Sequence, residues 1–110
     1  MKNMEFIRTF ELGKIKSGEK PKDVKEIFNG TRRRMVQVNL RNSQVLSKHK
    51  ANEPITVFCL AGSGTLRAGR DLEDYQKLAA GTLITLEGGV EHEVIAEPEL
   101  SLLVTKFKSE

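Results

Sequence analysis

One cysteine, two histidines and no tryptophan stand in a chain of 110 residues. Cys59 is the single thiol, so no intrachain disulfide can form and the fold does not depend on an oxidising compartment. It sits in the apolar run ITVFCLA, where a thiol reads as a small buried hydrophobe rather than a nucleophile. No apolar run approaches the ~20 residues of a membrane span. The opening MKNMEFIRTFELG lacks the apolar block of a secretory signal. A soluble cytoplasmic protein with no membrane partner is expected. A dominant charge is missing too: 18 Lys and Arg against 15 Asp and Glu give +3, with acidic residues interleaved almost everywhere. That balance does not describe a nucleic-acid surface. The one basic run, Arg32-Arg33-Arg34, would divide between the two faces of a strand. Nucleic acid is therefore not an expected partner.

Several chemical signatures are also lacking. GSGTLRAG does not have the glycine spacing of a dinucleotide loop, and no helix follows it to receive a phosphate. Ser63 lacks the flanks of a nucleophile elbow. There is no tandem repeat and little helical periodicity; DLEDYQKLAAG reads as a loop and a strand.

What the chain does have is a succession of short strands, in a length that suits one domain and one core. DVKEIF and TRRRMVQVNL flank Asn29-Gly30, a strong signal for a type I′ hairpin. In the second arm Val36, Val38 and Leu40 share one face. QVLSKH (44–49), ITVFCLA (55–61), TLRA (65–68), YQKLA (75–79), TLITL (82–86), EVIA (93–96) and SLLVTKF (101–107) follow, separated by Gly, Asn, Ser and Pro punctuation. This pattern predicts an all-β sandwich or barrel. ITVFCLA and SLLVTKF are apolar on both faces, which predicts a sheet covered twice, once by the interior and once by another sheet or a second subunit. Residues 1–31, with strand character over Met4–Leu12 and a lysine-rich loop from Gly13 to Lys22, are expected to pack on a barrel formed by 32–110.

The most specific stretch is GTLITLEGGVEH, residues 81–92. Gly81, five residues, Glu87, Gly88, Gly89, two residues and His92 follow the spacing of the second motif of the cupin superfamily, with Glu87 where that motif has proline. The asparagine expected four residues after the histidine is Ala96. Upstream, LSKHKANEPITVFCLAGSG resembles an eroded first motif. His49 matches its second histidine, Ser47 stands where the first would be, and the glutamate position falls on Ile55. Glu53 lies two residues earlier, and Pro54 argues against a strand reaching it. The chain thus resembles small single-domain cupins that carry one histidine followed by a Glu-Pro pair. The resemblance covers roughly residues 32–107.

The resemblance implies a double-stranded β-helix, or jelly-roll barrel, a homodimer, and a small-molecule ligand in the barrel interior. It also implies a divalent metal (iron, manganese, nickel or zinc), for which His49, His92 and Glu53 are the candidate ligands. Ligand contacts are expected from His49, His92, Ser47 and Gln37. Three readings of the two histidines stay open. They hold a metal, as in the family's oxygenases and isomerases of sugar-like or keto-acid substrates. They are hydrogen-bonding groups of a metal-free sensor pocket. Or they satisfy backbone groups in a structural barrel.

Overall fold

The computed structural model describes residues 7–13 and 20–109, with backbone alone at 48–50. The Lys-rich loop and the start of the Met4–Leu12 strand fall largely outside these residues, and residues 7–13 form no strand. Seven strands follow: β1 (Lys22–Asn29), β2 (Arg33–Leu40), β3 (Val45–Lys50), β4 (Ile55–Ala68), β5 (Asp74–Ala79), β6 (Leu83–Leu86) and β7 (Glu91–Phe107). A 3-10 turn, Arg70–Leu72, precedes β5. Among the described residues no helix is long and apolar enough to cross a membrane.

All pairing is antiparallel, in the order β1-β2-β7-β4-β5, with β3 added to β7 and β6 added to β4. Two strands organise the molecule. The first half of β4 pairs with the second half of β7, flanked by β2 and β6. The second half of β4 pairs with the first half of β7, flanked by β3 and β5. Both strands therefore serve two facing sheets, and the barrel closes around them.

The sequence predicts a break at Gly62-Ser63-Gly64, between ITVFCLA and TLRA, and another between EVIA (93–96) and SLLVTKF (101–107). Each is instead a bend within a continuous strand, with register shifts on β4 between Cys59 and Ala61 and between Gly62 and Gly64. Such bulges bend a strand without ending it. Gly62 makes the bend possible: its φ is +85°, and a Cβ there would collide with the carbonyl oxygen of Glu99 on β7. Ser63 Oγ ties the two bends together by donating to the Glu97 carbonyl at 2.6 Å.

The Asn29-Gly30 hairpin is also present in altered form. β1 and β2 pair as expected, but the closing contact is Gly30 N–H to the Arg33 carbonyl at 2.9 Å. Neither Asn29 nor Gly30 has positive φ, so the predicted type I′ turn does not form. Lys108 Nζ donates to both Asn29 Oδ1 and the Gly30 carbonyl, which fixes the longer loop instead.

The core follows period two. Val38 and Leu40, Val57 and Cys59, and Leu100 and Leu102 are all buried, as are Leu66 and Val94 of the facing sheet. Full burial of each aliphatic side chain is worth about 1.5–3 kcal/mol. Burial pushes the Cys59 thiol up, outweighing its bond to the Ala61 carbonyl, so it stays protonated and unreactive.

The outer face of the first sheet is two-sided in character. Leu83, Phe58 and Leu103 are successive register partners across β6, β4 and β7, and Leu83 is 64% exposed. The next partner in that row is Gln37, which is buried and polar. Its amide donates to the Gly13 carbonyl at 2.8 Å and to Ser101 Oγ at 3.1 Å, and Ser101 Oγ donates to Asn39 Oδ1 at 2.6 Å. The N-terminal residues 7–13 are thereby tied to this face, and Phe10 stacks near Phe28 with ring centroids 6.1 Å apart.

Candidate functional site

GTLITLEGGVEH forms the turn, strand and turn that deliver His92. Gly81, at φ +95°, donates its N–H to the Cys59 carbonyl at 2.9 Å and starts β6 beside β4. After β6, Gly89 at φ +83° reverses the chain, and its N–H donates to the Ala51 carbonyl at 2.7 Å. A residue with a Cβ disfavours that backbone angle. β7 begins two residues later, with His92 as its second residue and 3% exposed. The histidine is paired on one side with Ala68 of β4 and on the other with His49 of β3. The two histidines of the chain, far apart in sequence, are thus direct backbone partners across one ladder.

His92 Nδ1 is 3.0 Å from the Val90 carbonyl oxygen. A carbonyl only accepts, so Nδ1 carries the proton, and in the neutral ring Nε2 is the acceptor. The imidazole lines a partly enclosed cavity of about 120 Å³ inside the barrel. Val36 and Val38 of β2, Ile55 and Val57 of β4, and Leu102 and Val104 of β7 form one wall. Leu46, Ala51 and Val94 line it beside His92. Arg34 and Lys106 complete the lining where β2 begins and β7 ends. A second, more open cavity of about 390 Å³ lies by β5 and β6, against Leu66, Ala68, Ile84 and Leu86. Of the residues expected from the sequence whose side chains are described, Gln37, Ser47, Glu53 and His92, none lines that one.

The expected site residues are not all brought together. Gln37 does not line the cavity: Val36 and Val38 point into it, and the residue between them faces the outer surface, where its amide is bonded. Ser47 is exposed and also absent from the lining. Its expected face followed from strict alternation with residue 49, but β3 carries a register shift between Leu46 and His49 that breaks the count. Glu53 lies in a bend before β4, which starts at Ile55, and is not part of the lining. Among the described residues, no three His, Cys, Asp or Glu side chains converge as a metal-binding group.

Two lining residues were missed in the sequence, Arg34 and Lys106. The signal was available. Arg34 shares parity with Val36, Val38 and Leu40, and Lys106 with Leu100, Leu102 and Val104. As part of the basic run 32–34 alone, Arg34 does not show this role. That run is divided: Arg33 lies over the Phe28 ring at 4.8 Å, while Arg34 Nε is 2.8 Å from Glu26 Oε1. Elsewhere, Glu93 faces Arg67 at 3.5 Å, away from the cavity. The Thr65 hydroxyl, and then Lys77, hold the Glu97 carboxyl below its ordinary range. That contribution is present at neutral pH and fades as acid titrates Glu97 through its lowered value.

No protein-family model matches the chain, and no curated protein sequence matches it. Solved structures do match. A cupin superfamily protein from Desulfitobacterium hafniense aligns with a TM-score of 0.78 at 9% identity, over 86% of this chain and 84% of that one. A conserved protein of unknown function from Streptococcus pyogenes aligns with a TM-score of 0.76 at 17% identity, over 97% of both chains. An RmlC-like cupin with a double-stranded β-helix fold from Methanocaldococcus jannaschii aligns with a TM-score of 0.71 at 19% identity, over 86% of both. With two long strands shared between facing sheets and these likenesses, the chain has the architecture of a small cupin domain, an all-β double-stranded β-helix of the jelly-roll kind.

Proposed function

We propose that this protein binds a small molecule inside the barrel, with His92 as the polar anchor of an otherwise aliphatic cavity. The observation that carries the reading is a buried imidazole whose Nε2 is an acceptor, set among valine and leucine side chains around about 120 Å³ of space. Concave apolar sites with few polar groups are the usual form of small-ligand pockets. A metabolite screen read by thermal stabilisation tests it, since a ligand that binds only the folded state raises Tm by mass action. At least one compound is expected to raise Tm for the wild type and to do so at tenfold higher concentration, or not at all, for His92→Ala. A broad screen without a single His92-dependent ligand would refute the proposal.

A divalent metal held by His49 and His92 is the second reading, favoured by their pairing across the β3–β7 ladder. One of the structural neighbours is the oxalate decarboxylase of Bacillus subtilis, which covers 82% of this chain but only 26% of its own length. Two imidazoles fall short of the three or four protein ligands of a stable site. We therefore take the metal-free pocket as the primary function and expect purified protein to contain well under one metal ion per chain. Stoichiometric metal that disappears in both His49→Ala and His92→Ala would reverse that order.

The protein is further proposed to be a cytoplasmic homodimer, joined through the outer row of Leu83, Phe58 and Leu103. An exposed leucine beside two partly buried apolar residues supports this. Light scattering is expected to give twice the 12.3 kDa chain mass. Leu83→Asp is expected to give a folded monomer, and an unchanged dimer would exclude this face.

A further inference from the structure

The cavity has a charged end. Arg34 and Lys106 are direct register partners on β2 and β7, and both line the cavity. Like charges directly opposite on a ladder are destabilising. The like-charge pair sits against valines and an isoleucine, a setting that favours neutral side chains. Glu26 on β1 compensates Arg34 alone, through the contact at 2.8 Å. Among the described residues, Lys106 takes part in no ion pair or side-chain hydrogen bond. Two cations and one carboxylate leave this end of the cavity with a net positive charge. Among the described residues, the rest of the lining is aliphatic apart from His92.

We infer that the ligand is a short aliphatic carboxylate. Its carboxylate would sit between Arg34 and Lys106, and its hydrocarbon body would lie against Val36, Val57 and Val104. This rests on the cavity proposed above, and for this ligand the polar anchor is the Arg34–Lys106 pair rather than His92. An anion supplies the counter-charge that the cross-strand pair lacks, and ionised hydrogen bonds are the strong ones. Size limits the body: an apolar cavity of ~150 Å³ accommodates a benzene ring, so about 120 Å³ takes a body of about five carbon atoms.

The test uses isovalerate, isovaleramide and inorganic phosphate, titrated calorimetrically into the full-length protein. The amide keeps the shape and removes the charge, and the phosphate keeps the charge and removes the hydrocarbon. Isovalerate is expected to bind at least tenfold more tightly than either. Lys106→Met and Arg34→Met are expected to weaken isovalerate at least tenfold. Lys106→Met should also raise the Tm of the ligand-free protein by a few degrees, because it removes the like-charge pair. That second readout separates a binding role from simple damage to the barrel. Equal binding of acid and amide, or of acid and phosphate, would overturn this assignment while leaving the pocket in place. An unchanged isovalerate affinity in Lys106→Met would overturn it as well. Failure of isovalerate to bind at all would end the carboxylate assignment, and the metabolite screen with His92→Ala would then judge the pocket separately.

Discussion

Leu100→Ala is expected to lower folding stability by about 3–5 kcal/mol, the upper part of the range for a buried leucine. Leu100 is fully buried on β7, paired with Leu40 of β2 on one side and with Gly62 of β4 on the other. Its neighbourhood is tight: Leu100 Cδ2 lies where a Cβ on Gly64 would be crowded. Close-packed surroundings relax little, so the cost of the vacated space adds to the lost transfer energy. Leu102 is just as buried, but its side chain also borders the cavity beside His92. A side chain facing existing space has fewer dispersion partners to lose. Leu102→Ala is therefore expected to cost less, about 2–3 kcal/mol. In a domain of this size the Leu100 loss corresponds to a Tm decrease of roughly 12–30 °C. Denaturant unfolding of both variants checks the ranking, and a larger loss at Leu102 would show that the cavity is not where the barrel leaves it.

The second large effect is expected at Gly62. Gly62 and Gly81 have similar positive φ, +85° and +95°. Alanine at either position incurs the left-handed penalty of about 1–2 kcal/mol. The surroundings differ. A Cβ on Gly81 meets nothing within 4 Å, whereas one on Gly62 collides with backbone of Glu99. Backbone cannot rotate away as a side chain can, so Gly62→Ala must force β4 and β7 apart at their shared bend. Its expected cost is about 3–5 kcal/mol, in the class of backbone strain that single substitutions rarely exceed. Gly81→Ala is the built-in control: equal losses for the two variants would mean that dihedral strain alone matters and that the close approach is relieved cheaply.

The alternation of Val36, Val38 and Leu40, and the glycine spacing before His92, carried enough information for the barrel and for one wall of its cavity. Period two is a local property, and it survives wherever a strand is regular. It failed where strands are irregular. Ser47 was assigned a face across a bulge that a sequence does not display, and TLRA and EVIA were separated from strands they continue, because glycine and proline mark bends as well as ends. Gln37 was misplaced for another reason: its polarity suggested a ligand contact, but its parity with Asn39 and Ser101's partner row assigns it to an outer network. Arg34 and Lys106 illustrate the reverse case, in which parity was informative and charge distracted from it. The resemblance assigned His49 and His92 to one pocket, and the topology adds that they are direct backbone partners on strands distant in sequence.

The double duty of β4 and β7 has a consequence for how the protein is made. Without β7, the nascent chain has only hairpin-like ribbons: β1 with β2, β4 with β5, and β4 with β6. β3 has no neighbour at all among the described strands until β7 arrives, and neither sheet can join the other. Ile55 can pair with Leu86 of β6 on one side, but its partner on the other side, Lys106, arrives only with β7. Closure is thus postponed until β7 has been synthesised, and the loop entropy of such distant pairings sets a folding time in the millisecond-to-second range. Until then the unpaired edges of β4 lie open to other chains, an interval in which a chaperone is of most use.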